Sequence, residues 1–285
     1  MTDFDAATDF IHRTARLLER HRFAHLFLGA DAEPVVRTLR AYRNPDGGFG
    51  NALEPDLRDP ASQPPAGQTA LEVLHEAGTP DAELSGGACE FLMSITRPDG
   101  AIPFVLPSAA DYPRSPWWQP ADESSLTQTA ANAAALHALG SDHAWLEGAD
   151  AYIWRRIEAL DFLGSAYDTL FTFGFLDTVP DGERAQAALE TLRPHIDEIV
   201  GDDPAAPEES HSTLDFSPRP DCRSRRLFEP ERIERDLDTL AAAQLPDGGW
   251  TFDWPSWAPA VEQEWRGVIT LNALKTLRAA GRLSG

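Results

Sequence analysis

The 285-residue chain has only two cysteines and two methionines, and Lys275 is its single lysine. Cys89 and Cys222 are too few and too far apart for a disulfide framework, and no Cys-x-x-Cys spacing suggests zinc or redox work. No run approaches 18 apolar residues, so no membrane insertion is expected. Met1 to Arg13 carries Asp3, Asp5 and Asp9 and lacks the basic-then-apolar order of a secretory signal, which makes a cytoplasmic protein the expectation. Basic residues are scarce as well: 24 Lys and Arg face 46 Asp and Glu, for a formal charge of −22. Nucleic acid and anionic membranes reward basic patches, so neither is expected as a partner. No motif implies a cofactor or a metal, and the oligomeric state is left open.

Turn-forming residues are abundant, with 23 prolines and 20 glycines, and they recur in a phrase. The fullest copy is Gln244-Leu245-Pro246-Asp247-Gly248-Gly249-Trp250. Earlier copies are Arg43-Asn44-Pro45-Asp46-Gly47-Gly48-Phe49 and the eroded Thr96-Arg97-Pro98-Asp99-Gly100-Ala101-Ile102. Proline stops a helix, and Asp-Gly reverses the chain because glycine accepts positive φ. Asp46 and Asp99 are 53 residues apart, and Asp247 follows 148 later, near three further periods. Gly148-Ala149-Asp150 and Gly201-Asp202-Asp203-Pro204 lie near the intermediate positions and read as turns that have lost the aromatic. A period of about 50 residues marks a repeat architecture.

Gln244-x-x-x-Gly248-x-Trp250 has the form of the QW motif, and the segment resembles the prenyltransferase and squalene-cyclase repeat. The resemblance implies an all-α fold, an α/α toroid of five to six helix pairs forming one domain over residues 1–285, with inner helices lining a central cavity. It also implies an apolar isoprenoid as the small-molecule substrate. The family's Asp-x-Asp-Asp run is absent, with Glu54-Pro55-Asp56 a partial echo, and Ala206 breaks an Asp-Asp-x-x-Asp run at Asp202-Asp203. His211, Asp221 and Cys222 supply zinc-ligand types without the protein prenyltransferase spacing. Cys89-Glu90 lacks the Cys-Gly-Glu-Gln of the complement thioester domains.

Helical periodicity predicts one long helix over Asp5–Leu28, with His21 and His25 a surface or packed pair, and then a helix capped by Asp31 and running to Arg43. Further helices are expected over Gln68–His75, Asp81–Thr96, Leu126–Leu139, Trp145–Leu160, Ser165–Thr178, Ala185–Val200 and Glu229–Ala243, with a last one from Glu262 to Leu277 and beyond. Phe104–Pro120 reads as an insert, and the Pro-rich stretch from Asp202 to Arg226 as a lid or a replaced inner helix.

If the phrases are hinges of a ring, the segments after them meet at one rim. Glu54 and Asp56 are then candidate proton donors, and Glu264 a candidate partner carboxylate. Asp59, Trp117, Trp118, Asp168, Trp254, Trp257, Trp265 and Arg266 are candidate substrate-binding residues. A buried carboxylic acid could protonate an alkene or epoxide while aromatic faces stabilise the cation. Alternatively, paired carboxylates could act on a glycosidic bond, or the ring could bind a small molecule or protein without catalysis. The simpler reading of Glu54, Asp56 and Asp59 is that they cap helices. Arg266 is suited to a substrate anion or to a salt bridge that locks the last repeat onto the first.

Overall fold

The computed structural model describes residues 2–79, 81–200 and 211–283. The chain is mostly helical. Its helices are α1 (Phe4–Thr14), α2 (Leu17–Leu28), α3 (Glu33–Leu39), α4 (Pro64–Glu76), α5 (Ala82–Ser94), α6 (Leu126–Ala138), α7 (Trp145–Ala159), α8 (Ala166–Thr178), α9 (Gly182–Leu192), α10 (Ile196–Ile199), α11 (Thr213–Phe216), α12 (Pro230–Ala242) and α13 (Pro259–Ala279). Strands β1 (Ile102–Pro103) and β2 (Ser124–Ser125) pair antiparallel at the base of the insert. The chain divides into two compact units, Ala24–Pro180 and Met1–Phe23 with Asp181–Gly285. The division falls inside α2.

In the unit formed by residues 24–180, α6 packs between α4 and α8. Thr127 Oγ1 donates to Asp168 Oδ1 at 2.6 Å, and Gly174 lies opposite Ala134, so α6 and α8 run side by side in the same direction. Asn132 Nδ2 donates to Pro64 O at the start of α4. Ala130, Ala131, Ala133 and Ala135 are buried, and their small side chains permit this close approach. Helices α5 and α7 pack outside this layer on α4 and α6.

The other unit joins the two ends of the chain. Helix α1 packs against α13, and α12 also packs on α13. The single helix expected over Asp5–Leu28 is two: Ala15 turns extended after α1. That turn lays Ala15 on Gly267, where an added Cβ would come within 2.9 Å of the alanine. Arg16 then pairs through two hydrogen bonds with Glu19, which is fully buried at the start of α2. Two further boundaries differ from expectation. Ala32, not Asp31, precedes α3, with no side-chain cap. Helix α9 stops at Leu192, because Pro194 brings in a 3₁₀ turn over Arg193–His195 before α10.

The three hinge phrases share one geometry. Gly47, Gly100 and Gly248 have φ of +88°, +96° and +93°. Each donates its N–H to the carbonyl three residues back, in Asn44, Arg97 and Leu245, at 2.9–3.0 Å. Asp46, Asp99 and Asp247 each accept, through Oδ1, the N–H two residues on. These are Asx turns locked by a glycine in the left-handed region.

Each hinge then seats on another helix of its own unit. A Cβ on Gly47 would lie 2.6 Å from Gly87 O in α5, on Gly100 2.3 Å from Gly148 O in α7, and on Gly248 2.1 Å from Ala6 O in α1. Gly148-Ala149-Asp150 is therefore no eroded turn but lies within α7, near its start, where Gly148 receives a hinge. Gly201-Asp202-Asp203-Pro204 lies outside the described residues.

Candidate functional site

The residue at the glutamine position of each hinge ties it to the start of the helix it seats on. Gln244 accepts from Asp3 N at 2.7 Å and donates to Asp3 O at 2.8 Å, at the cap of α1. Arg43 donates to Glu83 in the first turn of α5 at 2.8 Å. Thr96 Oγ1 accepts the indole N–H of Trp145, the first residue of α7, at 2.9 Å. Four residues beyond each receiving small residue stands an aromatic: Phe91 after Gly87, Tyr152 after Gly148 and Phe10 after Ala6. Phe91 and Phe10 fill the space beside Gly48 and Gly249. The small-x-x-x-aromatic pattern was present in the sequence and is the signal that hinge spacing alone missed.

Six of the eleven predicted site residues fall in the unit of residues 24–180. Glu54, Asp56 and Asp59 are 7%, 2% and 1% exposed, in a loop folded tightly on itself. Asn51 and Ala52 take φ of +56° and +60° there, a strained conformation for side chains other than glycine. Gly50 abuts Ala61 O so closely that an added Cβ would be 2.1 Å away. The insert braces this loop. Ser115 Oγ donates to Asp56 Oδ1 at 2.6 Å, and Ser115 N donates to Asp56 O at 3.0 Å. Asp59 Oδ2 accepts from Gln63 Nε2 at 2.7 Å and from Ser108 Oγ at 2.6 Å, and its Oδ1 accepts from Ala61 N. Beneath them Leu57, Val105 and Ala109 form a small core against Phe104 and Trp118, whose rings stack at 4.9 Å. Trp117 is 41% exposed. Asp168, half-buried, is held by Thr127 on the neighbouring helix.

The remaining five lie in the unit of residues 1–23 and 181–285. Phe252 and Trp254 stack at 4.3 Å, and Trp265 stands at 88° to Trp254 at 5.5 Å. Trp257 is 37% exposed, and Glu264 is half-buried beside Trp265. Arg266 is 8% exposed and belongs to the hinge. It donates to Asp247 Oδ1 at 2.9 Å and to Trp250 O at 3.3 Å, and its guanidinium lies 4.6 Å from the centre of the Phe10 ring. Trp250 itself is 2% exposed, its indole N–H bonded to Leu240 O.

Of the stretch from Asp202 to Arg226, residues 202–210 lie outside the described residues. The rest contains α11, where Thr213 N and Oγ1 both donate to Asp236, and a 3₁₀ turn over Arg223–Leu227 in which Arg225 donates to Ser217 O. Among the described residues no group of three or more His, Cys, Asp and Glu side chains is placed to hold a metal ion. An open surface cavity of about 590 Å³ lies against Asp31, Glu33, Arg37, Arg40 and Asp81, and none of the predicted site residues lines it.

The chain is thus a mostly helical protein in which three hinges of one geometry each seat on another helix. No family model matches the chain, and no curated protein matches it. Among solved structures it is similar to a protein from Actinoplanes, with a TM-score of 0.59 at 19% identity, over 96% of this chain and 90% of that one. Likeness at this identity speaks to the fold alone.

Proposed function

We propose that the helix pairs close into an α/α toroid and that its inner helices line a cavity for an apolar, isoprenoid-like small molecule. In this reading α1, α3, α5, α7, α9 and α12 are the outer helices, and α2, α4, α6, α8 and α13 lie inside. The seating of the last hinge on α1, in the manner in which the earlier two seat on α5 and α7, supports closure.

The observation that carries the ligand class is the apolar face left uncovered on inner helices. On α8, Tyr167 is 43% exposed and Leu170 and Phe171 are half-buried. On α13, Trp265, Val268 and Ile269 are half-buried at helical spacing. On α2, Leu17 and Leu28 are 58% and 52% exposed. Stripes of this kind, as on α8 and α13, mark a surface that covers something apolar. On α6 and α8 the polar groups Gln128, Asn132 and Thr172 are buried, whereas α4 leaves Gln68, Thr69, Glu72 and His75 uncovered.

The acid of this reading comes from Glu54 and Asp56, which burial shields from water. Asp59 accepts three hydrogen bonds and serves the loop. Native mass spectrometry of the purified protein, with organic extraction of what co-purifies, tests the ligand class. A prenyl or terpenoid species is the expected result, and a co-purifying sugar would overturn it. Once a substrate is in hand, Asp56→Asn or Glu54→Gln is expected to lower turnover by at least ~100-fold, the scale of general acid catalysis. Turnover spared in both variants would remove the acid assignment.

A further inference from the structure

We infer that the ligand of this protein carries a hydroxyl group, which donates its hydrogen to Asn132 Oδ1 in the space over Gly67, between α4 and α6. The inference deepens the reading above and rests on it for one point, that these two helices line the ligand cavity.

Asn132 is completely buried in α6, and its amide is oriented by what the nitrogen does. Nδ2 donates to Gln128 O at 2.9 Å and to Pro64 O at 3.3 Å. Both amide hydrogens are spent on carbonyls, which only accept, so Oδ1 takes the opposite side and needs a donor of its own. It receives none and is shut off from solvent. Gln128 Oε1, from one helical turn earlier, is buried without a donor as well. A buried acceptor in this state destabilises the fold, so packing alone does not account for an asparagine at this place.

The facing helix leaves room for the missing donor. Apart from its own helix, a Cβ added to Gly67 would meet one atom within 4 Å, Asn132 Oδ1 at 3.4 Å. Gly67 lies inside α4 and takes no positive φ, so the backbone geometry that calls for glycine at the hinges is absent here. What the glycine leaves is a space for one Cβ-sized group beside an unmet acceptor. A hydroxyl oxygen is small, uncharged and able to donate. A phosphate or carboxylate would set lone pairs against lone pairs, and an ammonium would carry a charge into the seam.

Farnesol and farnesyl methyl ether share the prenyl chain and the oxygen and differ in the O–H, so titrating each into the full-length protein isolates the donor. Farnesol is expected to bind at least ~10-fold more tightly than the ether. Gly67→Ala fills the space with a methyl group and should bring farnesol down to the affinity of the ether. Its melting temperature should stay at or above that of the parent, since alanine favours a helix over glycine. Asn132→Leu should erase the preference in the same way, with circular dichroism separating lost binding from lost fold. Equal binding of farnesol and ether by the parent protein overturns the hydroxyl and leaves the apolar reading standing. A preference for farnesol undiminished in both variants overturns the site. A lowered melting temperature of Gly67→Ala with its farnesol affinity unchanged gives the space to a resident water and overturns the ligand. Failure of both compounds to bind removes this inference together with the isoprenoid reading.

Discussion

A glycine at positive φ constrains a protein differently according to what its missing Cβ would meet. Gly281 has φ of +69° with nothing within 4 Å of an added methyl, whereas the same methyl on Gly248 would lie 2.1 Å from Ala6 O. Gly281→Ala is therefore expected to cost about 1 kcal/mol, the strain of the backbone alone. Gly248→Ala must in addition push α1 off its seat and is expected to cost about 3 kcal/mol or more, read as a fall in the urea midpoint. Equal losses in the two variants would show that the seat carries no energy.

Cys89 is also set by its surroundings. It is 2% exposed, and burial pushes its thiol up to about 11, against a smaller opposing hydrogen bond with Ser141. The folded state then holds this proton through the window from 9 to about 11, in which the unfolded state has released it. Stability accordingly falls as pH rises across that window. Cys89→Ala is expected to flatten the decline, measured as denaturation midpoints at pH values of about 8, 9.5 and 11, and an unchanged slope would reject the assignment.

At the scale of elements, the hinge is a joint between a turn and the first turn of a helix elsewhere in the chain. Gln244 suits this role best because its amide both accepts from Asp3 N and donates to Asp3 O, while Arg43 and Thr96 meet carboxylate and indole partners instead. Gln244→Ala is expected to cost about 1 kcal/mol, since it leaves Asp3 N without its partner while Asp3 O keeps the bond from Ala7 N, and Gln244→Glu should restore only part of this because it cannot donate. Equal stability of the two variants, from thermal unfolding, would refute the two-sided bond.

The turns of these joints were legible in the sequence, since Pro-Asp-Gly dictates a local conformation. The helix on which each turn seats was not, because Gly87, Gly148 and Ala6 are chosen by contacts across 40, 48 and 242 residues. Gly148-Ala149-Asp150 even has turn composition while forming part of a helix. Among the candidate site residues, the burial of Asp56 and Asp59 was hidden for the same reason. Their partners Ser115 and Ser108 lie in an insert that no periodicity connects to the loop. Arg266 was suggestive as an anion ligand, and its seat against Asp247 and Phe10 ties it to the hinge between the two ends of the chain.

At the scale of the molecule, one compact unit draws on both ends of the sequence, and the bond between Asp3 and Gln244 spans 241 residues. Contacts of such separation form only after the intervening chain is ordered, so this unit is expected to complete late in folding. Its seam is α1, which buries Ala7, Phe10 and Ile11 and supplies the seat for Gly248 and Gly249. Burial of those side chains is worth about 4–6 kcal/mol, a large part of what holds a domain folded. Deleting residues 2–14 should therefore uncover the last hinge, with Trp250 fluorescence shifting to the red and proteolysis appearing between Pro246 and Ala258. A synthetic peptide of residues 1–15 added in trans should reverse both changes, because the helix acts by covering a preformed hinge. A truncated protein with native fluorescence and protease resistance would show that the two ends of the chain fold without each other, and would take with it the closure on which the toroid rests.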